Sequence, residues 1–73
     1  MQYEVVRDAS NGFTIVKNEE GLYNYVDNKG KLLSDKWFDR VGIFKMRDVK
    51  ISAYVEIEYD TYWLFTDGEL IYN

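Results

Sequence analysis

Three carboxylates, Glu56, Glu58 and Asp60, alternate along one short stretch of the chain. If that stretch is extended, successive acids share a face about 7 Å apart, two residues at ~3.3 Å each. The separation suits an inverting glycosidase, whose general acid and general base stand about 6.5–9.5 Å apart around a water. It also suits a solvated outer sheet face whose charges discourage edge-to-edge pairing. The second reading is the stronger. A hydrolase needs a walled cleft, and 73 residues leave little chain to build one.

Other chemistry is excluded by residue type. The chain has no His and no Cys, so Ser-His-Asp and Cys-His devices, the usual zinc sites and disulfides are all out of reach. Ser10, Ser34 and Ser52 have no evident base. Asp27-Asn28-Lys29-Gly30 lacks the ordered oxygen ligands of a calcium loop, and Lys29 would repel the ion. The expectation is therefore a chain without catalysis, metal or cofactor.

The aromatic residues are the second candidate set. They make up 18% of the chain, and a body of this size cannot hide them all. Tyr and Trp join large contact area to a polar tip, which is why they recur at binding hot spots. Most rings in a small sheet pack as core or as cross-strand pairs. Those left outside are candidates for contact, Trp37 and Trp63 among them. The residues singled out for binding a protein partner are Tyr54, Glu56, Glu58, Asp60, Tyr62 and Trp63.

Charge is distributed unevenly. All nine basic residues precede Ile51, while Glu56, Glu58, Asp60, Asp67 and Glu69 follow it with no Lys or Arg among them. A one-signed stretch of this kind makes a local potential even when the net charge is only −4. A pI near 4.6 opposes phosphate binding, which needs clustered cations, so no nucleic-acid partner is expected. No apolar run approaches the ~20 residues of a membrane span. Met1-Gln2-Tyr3-Glu4 does not read as a signal peptide. A cytoplasmic protein, folded as one domain over residues 1–73, is the expectation.

The elements that must position these residues read as strands nearly throughout. Tyr3–Val6 and Phe13–Val16 flank the turn dipeptide Asn11-Gly12, and Asn18-Glu19-Glu20-Gly21 leads to Leu22–Val26, with Tyr23 and Tyr25 on one face. Asp27-Asn28-Lys29-Gly30 predicts a tight turn, after which Lys31-Leu32-Leu33 returns. Trp37–Phe44 reads as a bulged strand or as one short helical turn near 35–40 leading into a strand, with Gly42 marking a bend or a bulge. Lys45–Lys50 reads as a basic loop. Ile51–Tyr59 has the clearest alternation: Ile51, Ala53, Val55, Ile57 and Tyr59 on one face, Ser52, Tyr54, Glu56, Glu58 and Asp60 on the other. Tyr62–Phe65, an Asp67-Gly68 turn and Leu70–Tyr72 close the chain as a hairpin. The fold class is all-β: a small antiparallel meander of six to seven short strands built of hairpin repeats.

The chain also repeats itself. Tyr23-x-Tyr25-x-Asp27 with Gly30 and Leu32-Leu33 matches Trp63-x-Phe65-x-Asp67 with Gly68 and Leu70-Ile71, with a two-residue gap in the second turn. Tyr23–Lys31, Phe38-Asp39-Arg40-Val41-Gly42-Ile43-Phe44 and Ala53-Tyr54-Val55 together resemble the WG (KWG) repeats of bacterial β-hairpin proteins. The likeness covers most of residues 12–72 as about one and a half units; Leu22-Tyr23-Asn24 replaces the family's Trp-Gly or Tyr-Gly start. It implies a hairpin scaffold and a binding role, and a chain with so few repeats that it pairs with another copy.

These readings converge on a non-enzymatic protein-binding module that shows an acidic and aromatic sheet face to a basic partner. A phage- or mobile-element-encoded inhibitor of a bacterial enzyme is one concrete form of it. The alternatives are a structural repeat fragment acting through self-association as a homo-oligomer, and a carbohydrate-binding domain using Trp37 or Trp63 as a sugar platform.

Overall fold

The computed structural model describes residues 3–73. Eight strands form two antiparallel sheets, and no described residue is helical. The first sheet has the order β1 (Tyr3–Ser10), β2 (Phe13–Asn18), β3 (Tyr23–Val26). In the second, β6 (Lys50–Ile57) pairs with β7 (Asp60–Phe65), which pairs with β8 (Leu70–Tyr72). The other edge of β6 is shared by two short pieces, β4 (Arg40–Val41) and β5 (Lys45–Arg47). All-β antiparallel architecture is thus what the chain adopts.

Three tight turns recur with one hydrogen-bond pattern. Asn18, Asp27 and Phe65 each donate their N–H to the carbonyl four residues on, at 2.9, 3.0 and 2.9 Å. Gly21, Gly30 and Gly68 each donate back to the carbonyl three residues earlier. The glycines sit at φ of 82°, 82° and 91°, a left-handed conformation that a Cβ opposes. Asn18 and Asp27 add a side-chain oxygen that accepts two further backbone N–H groups. Phe65 occupies the same place without that ability. The turns therefore superpose with no gap, and the equivalent of Asp27 is Phe65 rather than Asp67. Asp67 instead caps the N–H of Glu69 within the turn, at 2.9 Å.

The segment near 35–40 forms no helical turn. Phe38 is fully buried, and its backbone exchanges two 2.8 Å hydrogen bonds with Tyr23, which fixes it as an extended bridge. The bend or bulge expected at Gly42 takes the form of a bulge: Gly42 still donates to the Tyr54 carbonyl at 2.8 Å, and the pairing with β6 shifts by one residue between Val41 and Lys45. Between β4 and β5 the chain leaves β6, and Phe44 donates its N–H to the Ala9 carbonyl of the first sheet at 2.8 Å. Residues 45–50 are not a loop: β5 and β6 form a hairpin turning at Asp48 and Val49.

The core lies where the two sheets meet. Ala9, Ile15, Tyr25, Phe38, Phe44, Ala53, Val55 and Leu64 form one buried cluster. The Phe44 ring stands 4.9 Å from both Phe13 and Tyr25, so one side chain joins strands of both halves. Tyr25 is buried as its alternation requires, and its hydroxyl donates to the Gly42 carbonyl at 2.6 Å. Asn24, on the opposite face, is also buried because residues 34–36 fold over it. Its amide donates to the carbonyls of Ser34 and Lys36 at 2.9 and 3.1 Å. Both donors are thereby satisfied, which makes burial of the amide tolerable.

Candidate functional site: the outer face of the larger sheet

Strand β6 delivers what its alternation encodes up to Ile57. Ala53 and Val55 are fully buried and Tyr54 and Glu56 face outward. The row of three acids, however, does not exist. The strand ends at Ile57, which pairs with Asp60 across a turn made by Glu58 and Tyr59. Glu58 takes φ 57°, and its N–H is held by the Asp39 carboxylate. The turn reverses the chain and hence the face. Asp60 stands opposite Ile57 and so projects to the core side of the sheet, where it accepts a hydrogen bond from Tyr72 at 3.3 Å. Tyr59, expected to face inward, is wholly exposed at the turn tip. Ser52, expected to face water, is buried beneath Arg47. A carboxylate pair set across a bond to be hydrolysed is therefore not formed.

The outer face gathers a different set. Directly opposed pairs are Ser52 with Phe65, Tyr54 with Trp63 and Glu56 with Thr61 on β6 and β7, and Trp63 with Ile71 on β7 and β8. Tyr54, Trp63 and Ile71 thus form a ladder across three strands, with the Tyr54 and Trp63 rings 6.0 Å apart, edge to face. The Arg47 guanidinium lies 4.7 Å over the Trp63 ring. Its Nη1 also donates to the Ser52 carbonyl and, at 3.3 Å, to the Ser52 hydroxyl. Lys50 sits 5.0 Å over Phe65 in the same way.

Glu56 is the carboxylate of this face. Its Oε2 accepts a 2.6 Å hydrogen bond from the Tyr54 hydroxyl, and its Oε1 stands 3.8 Å from Arg40 Nε. The bond to Glu56 holds the Tyr54 phenol above its ordinary range, because losing the proton would place two anions side by side. Two open hollows flank the aromatic pair. One, of ≈ 430 Å³, is bounded by Arg47, Lys50, Trp63 and Phe65. The other, of ≈ 650 Å³, runs toward the first sheet past Arg7, Tyr23, Arg40, Tyr54 and Glu56.

Of the six residues singled out from the sequence, the fold brings together Tyr54, Glu56 and Trp63. Glu58 lies at the hairpin tip; Asp60 and Tyr62 lie on the other face, where the Tyr62 ring meets Tyr72 at 5.4 Å. Arg40, Arg47 and Ile71 belong to the face and were missed. The signal for Arg47 was the alternation of Lys45-Met46-Arg47 before an Asp at a turn position, which marks a strand rather than a loop. Among the described residues no group of three or more acids could hold a metal ion, and no helix is long and apolar enough to cross a membrane. No family model, curated protein or solved structure matches the chain.

Proposed function

We propose that the chain is a non-enzymatic protein-binding module whose contact surface centres on the Tyr54–Trp63–Ile71 ladder. The observation that carries this reading is the state of Trp63. It is only half-buried, yet Arg47 fixes it from above and Tyr54 from the side. A rigid aromatic group that still reaches solvent loses little side-chain entropy when a partner covers it. The flanking hollows would accept side chains from that partner. Positive charge on the partner would be met at the rim, by Glu56 on the face and by the exposed Glu58, Asp67 and Glu69.

A sugar platform is less well supported at Trp63, because the Arg47 guanidinium already covers that ring face. Self-association is the second reading. Val5 and Val6 on β1 and Ile71 and Tyr72 on β8 leave apolar surface at the outer strands of the two sheets. The turns at Gly30 and Gly68, which share one hydrogen-bond pattern, support the likeness to hairpin repeats.

The test is capture from host lysate with two baits, the native chain and Trp63→Ala, each checked for folding by heteronuclear NMR. A specific partner should bind the native bait and lose about thirtyfold or more in affinity to Trp63→Ala, the scale of a hot-spot residue. Equal retention by both baits would end the reading. Light scattering across concentration decides self-association, since a monomer at every concentration removes it.

A further inference from the structure

We infer that the outer edge of β8 is a receptor for one added strand, supplied by an extended, basic segment of the partner; this rests on the module reading above. The hydrogen-bond phase of β8 carries the argument. Phe65 donates to the Glu69 carbonyl and Asn73 donates to the Thr61 carbonyl, so Glu69 and Asn73 point their backbone groups toward β7. Antiparallel ladders alternate, which places Ile71 with them and turns the N–H and C=O of Leu70 and Tyr72 outward. Among the described residues no backbone group bonds to those of Leu70 or Tyr72 on that side.

The molecule blunts the edges at β1, β3 and β5 and leaves this one open. β1 carries two register shifts, which bend a strand away from pairing. The far side of β3 is taken by Phe38 and Leu33. β5 presents Lys45 and Arg47, and its short ladder leaves Met46 alone facing outward. β8 pairs with β7 in unbroken register and has no Lys, Arg or Pro. An incoming strand would continue the ladder beyond Ile71, adding main-chain hydrogen bonds to the contacts of the face.

Charge selects the occupant. Glu69 and Asp67 lie at one end of β8, and Asp60, bonded to Tyr72, lies at the other, with Glu58 beyond it. Lys36 borders the groove it shares with Ile57, Tyr62 and Leu70 on the core side of the sheet. A segment with a cation at each end of a short β-branched run satisfies both ends. A second copy pairing β8 with β8 would oppose these acids to each other. Pairing β8 with β5 of another copy would need Arg47, which is already engaged by Ser52 and Trp63.

The experiment uses the full chain at low salt and the blocked hexapeptide Lys-Thr-Val-Thr-Val-Lys, with a Glu-for-Lys peptide as control. The Lys peptide should slow hydrogen exchange of the Leu70 and Tyr72 amides about tenfold, as expected for newly bonded edge amides. Tyr72→Ala keeps the outward N–H and should still bind, whereas Tyr72→Pro lacks it and should bind about tenfold more weakly, the loss of one hydrogen bond. Unchanged exchange at both amides, equal binding of the two peptides, or equal binding by Tyr72→Pro and Tyr72→Ala would each overturn the inference. Slowing that grows with protein concentration in the absence of peptide would overturn it in favour of a second copy. If the edge fails while Trp63→Ala still releases the captured partner, the module reading stands without it. If the edge is protected while Trp63→Ala releases nothing, the converse holds.

Discussion

Single side chains in this protein are constrained by hydrogen bonds that reach across the sheets. Tyr25 is the clearest case: its ring fills the core and its hydroxyl satisfies the Gly42 carbonyl at the bulge between β4 and β5. Burial pushes its phenol above the usual range, because the phenolate would lose its water. The neutral form is therefore favoured by folding. That contribution is complete below the unfolded value of about 10 and is lost as pH rises above it toward the higher folded value. Tyr25→Phe should cost about 1 kcal/mol at neutral pH, from one lost hydrogen bond and a carbonyl left without its partner. It should also flatten the decline in stability above about pH 10. Urea unfolding at neutral and alkaline pH checks both, and an unchanged alkaline slope would contradict the assignment.

Among the elements, the glycine turns set the hairpins and hence the strand registers. Gly30 and Gly68 share a backbone conformation but differ in surroundings. A Cβ at Gly30 meets nothing within 4 Å, whereas one at Gly68 would stand 2.9 Å from the Leu33 carbonyl oxygen. Gly30→Ala should therefore cost only the left-handed backbone penalty, about 1–2 kcal/mol. Gly68→Ala should cost more, since the β7–β8 turn must also move off the segment that returns from Gly30. Thermal melts of the two variants give the comparison, and equal losses would show that the contact with Leu33 yields freely. These turns were legible in the sequence because Asn-Gly, Asp-Asn-Lys-Gly and Asp-Gly carry their conformation locally. The end of β6 was not: Glu58 has no local preference for the left-handed region, and the Asp39 carboxylate and the pairing of Ile57 with Asp60 hold it there.

For the molecule as a whole, stability depends on the few large rings between the sheets. Phe44 contacts two other rings and places its N–H on Ala9, so it ties the two sheets by side chain and by backbone. Phe44→Ala should lose about 3–5 kcal/mol. A domain of this size sits near the low end of the usual stability range of about 5–15 kcal/mol. The variant is therefore expected to keep only about 0–2 kcal/mol, visible as a second, poorly dispersed set of amide signals in NMR spectra and an early urea midpoint. A single dispersed set of native shifts in both sheets would mean that the halves do not depend on this ring. The same architecture explains why only part of the candidate site could be read in advance. Tyr54 and Glu56 share a face by alternation within β6, whereas Trp63 joins them only through the turn at Glu58 and Tyr59, and Arg47 and Arg40 reach it from segments paired to the opposite edge of β6.

The sequence by itself determined the strand class, the tight turns and the inward row of Ala53 and Val55, since two-residue periodicity and glycine conformation are properties of a few neighbouring residues. It also determined that the last third of the chain is anionic. Only the tertiary structure decided that the acids part company at Glu58, that Arg47 caps Trp63, and that Leu70 and Tyr72 turn unpaired backbone outward. Those outcomes depend on which distant segments pair and in what register, and pairing is settled by burying the whole core at once rather than by any local preference.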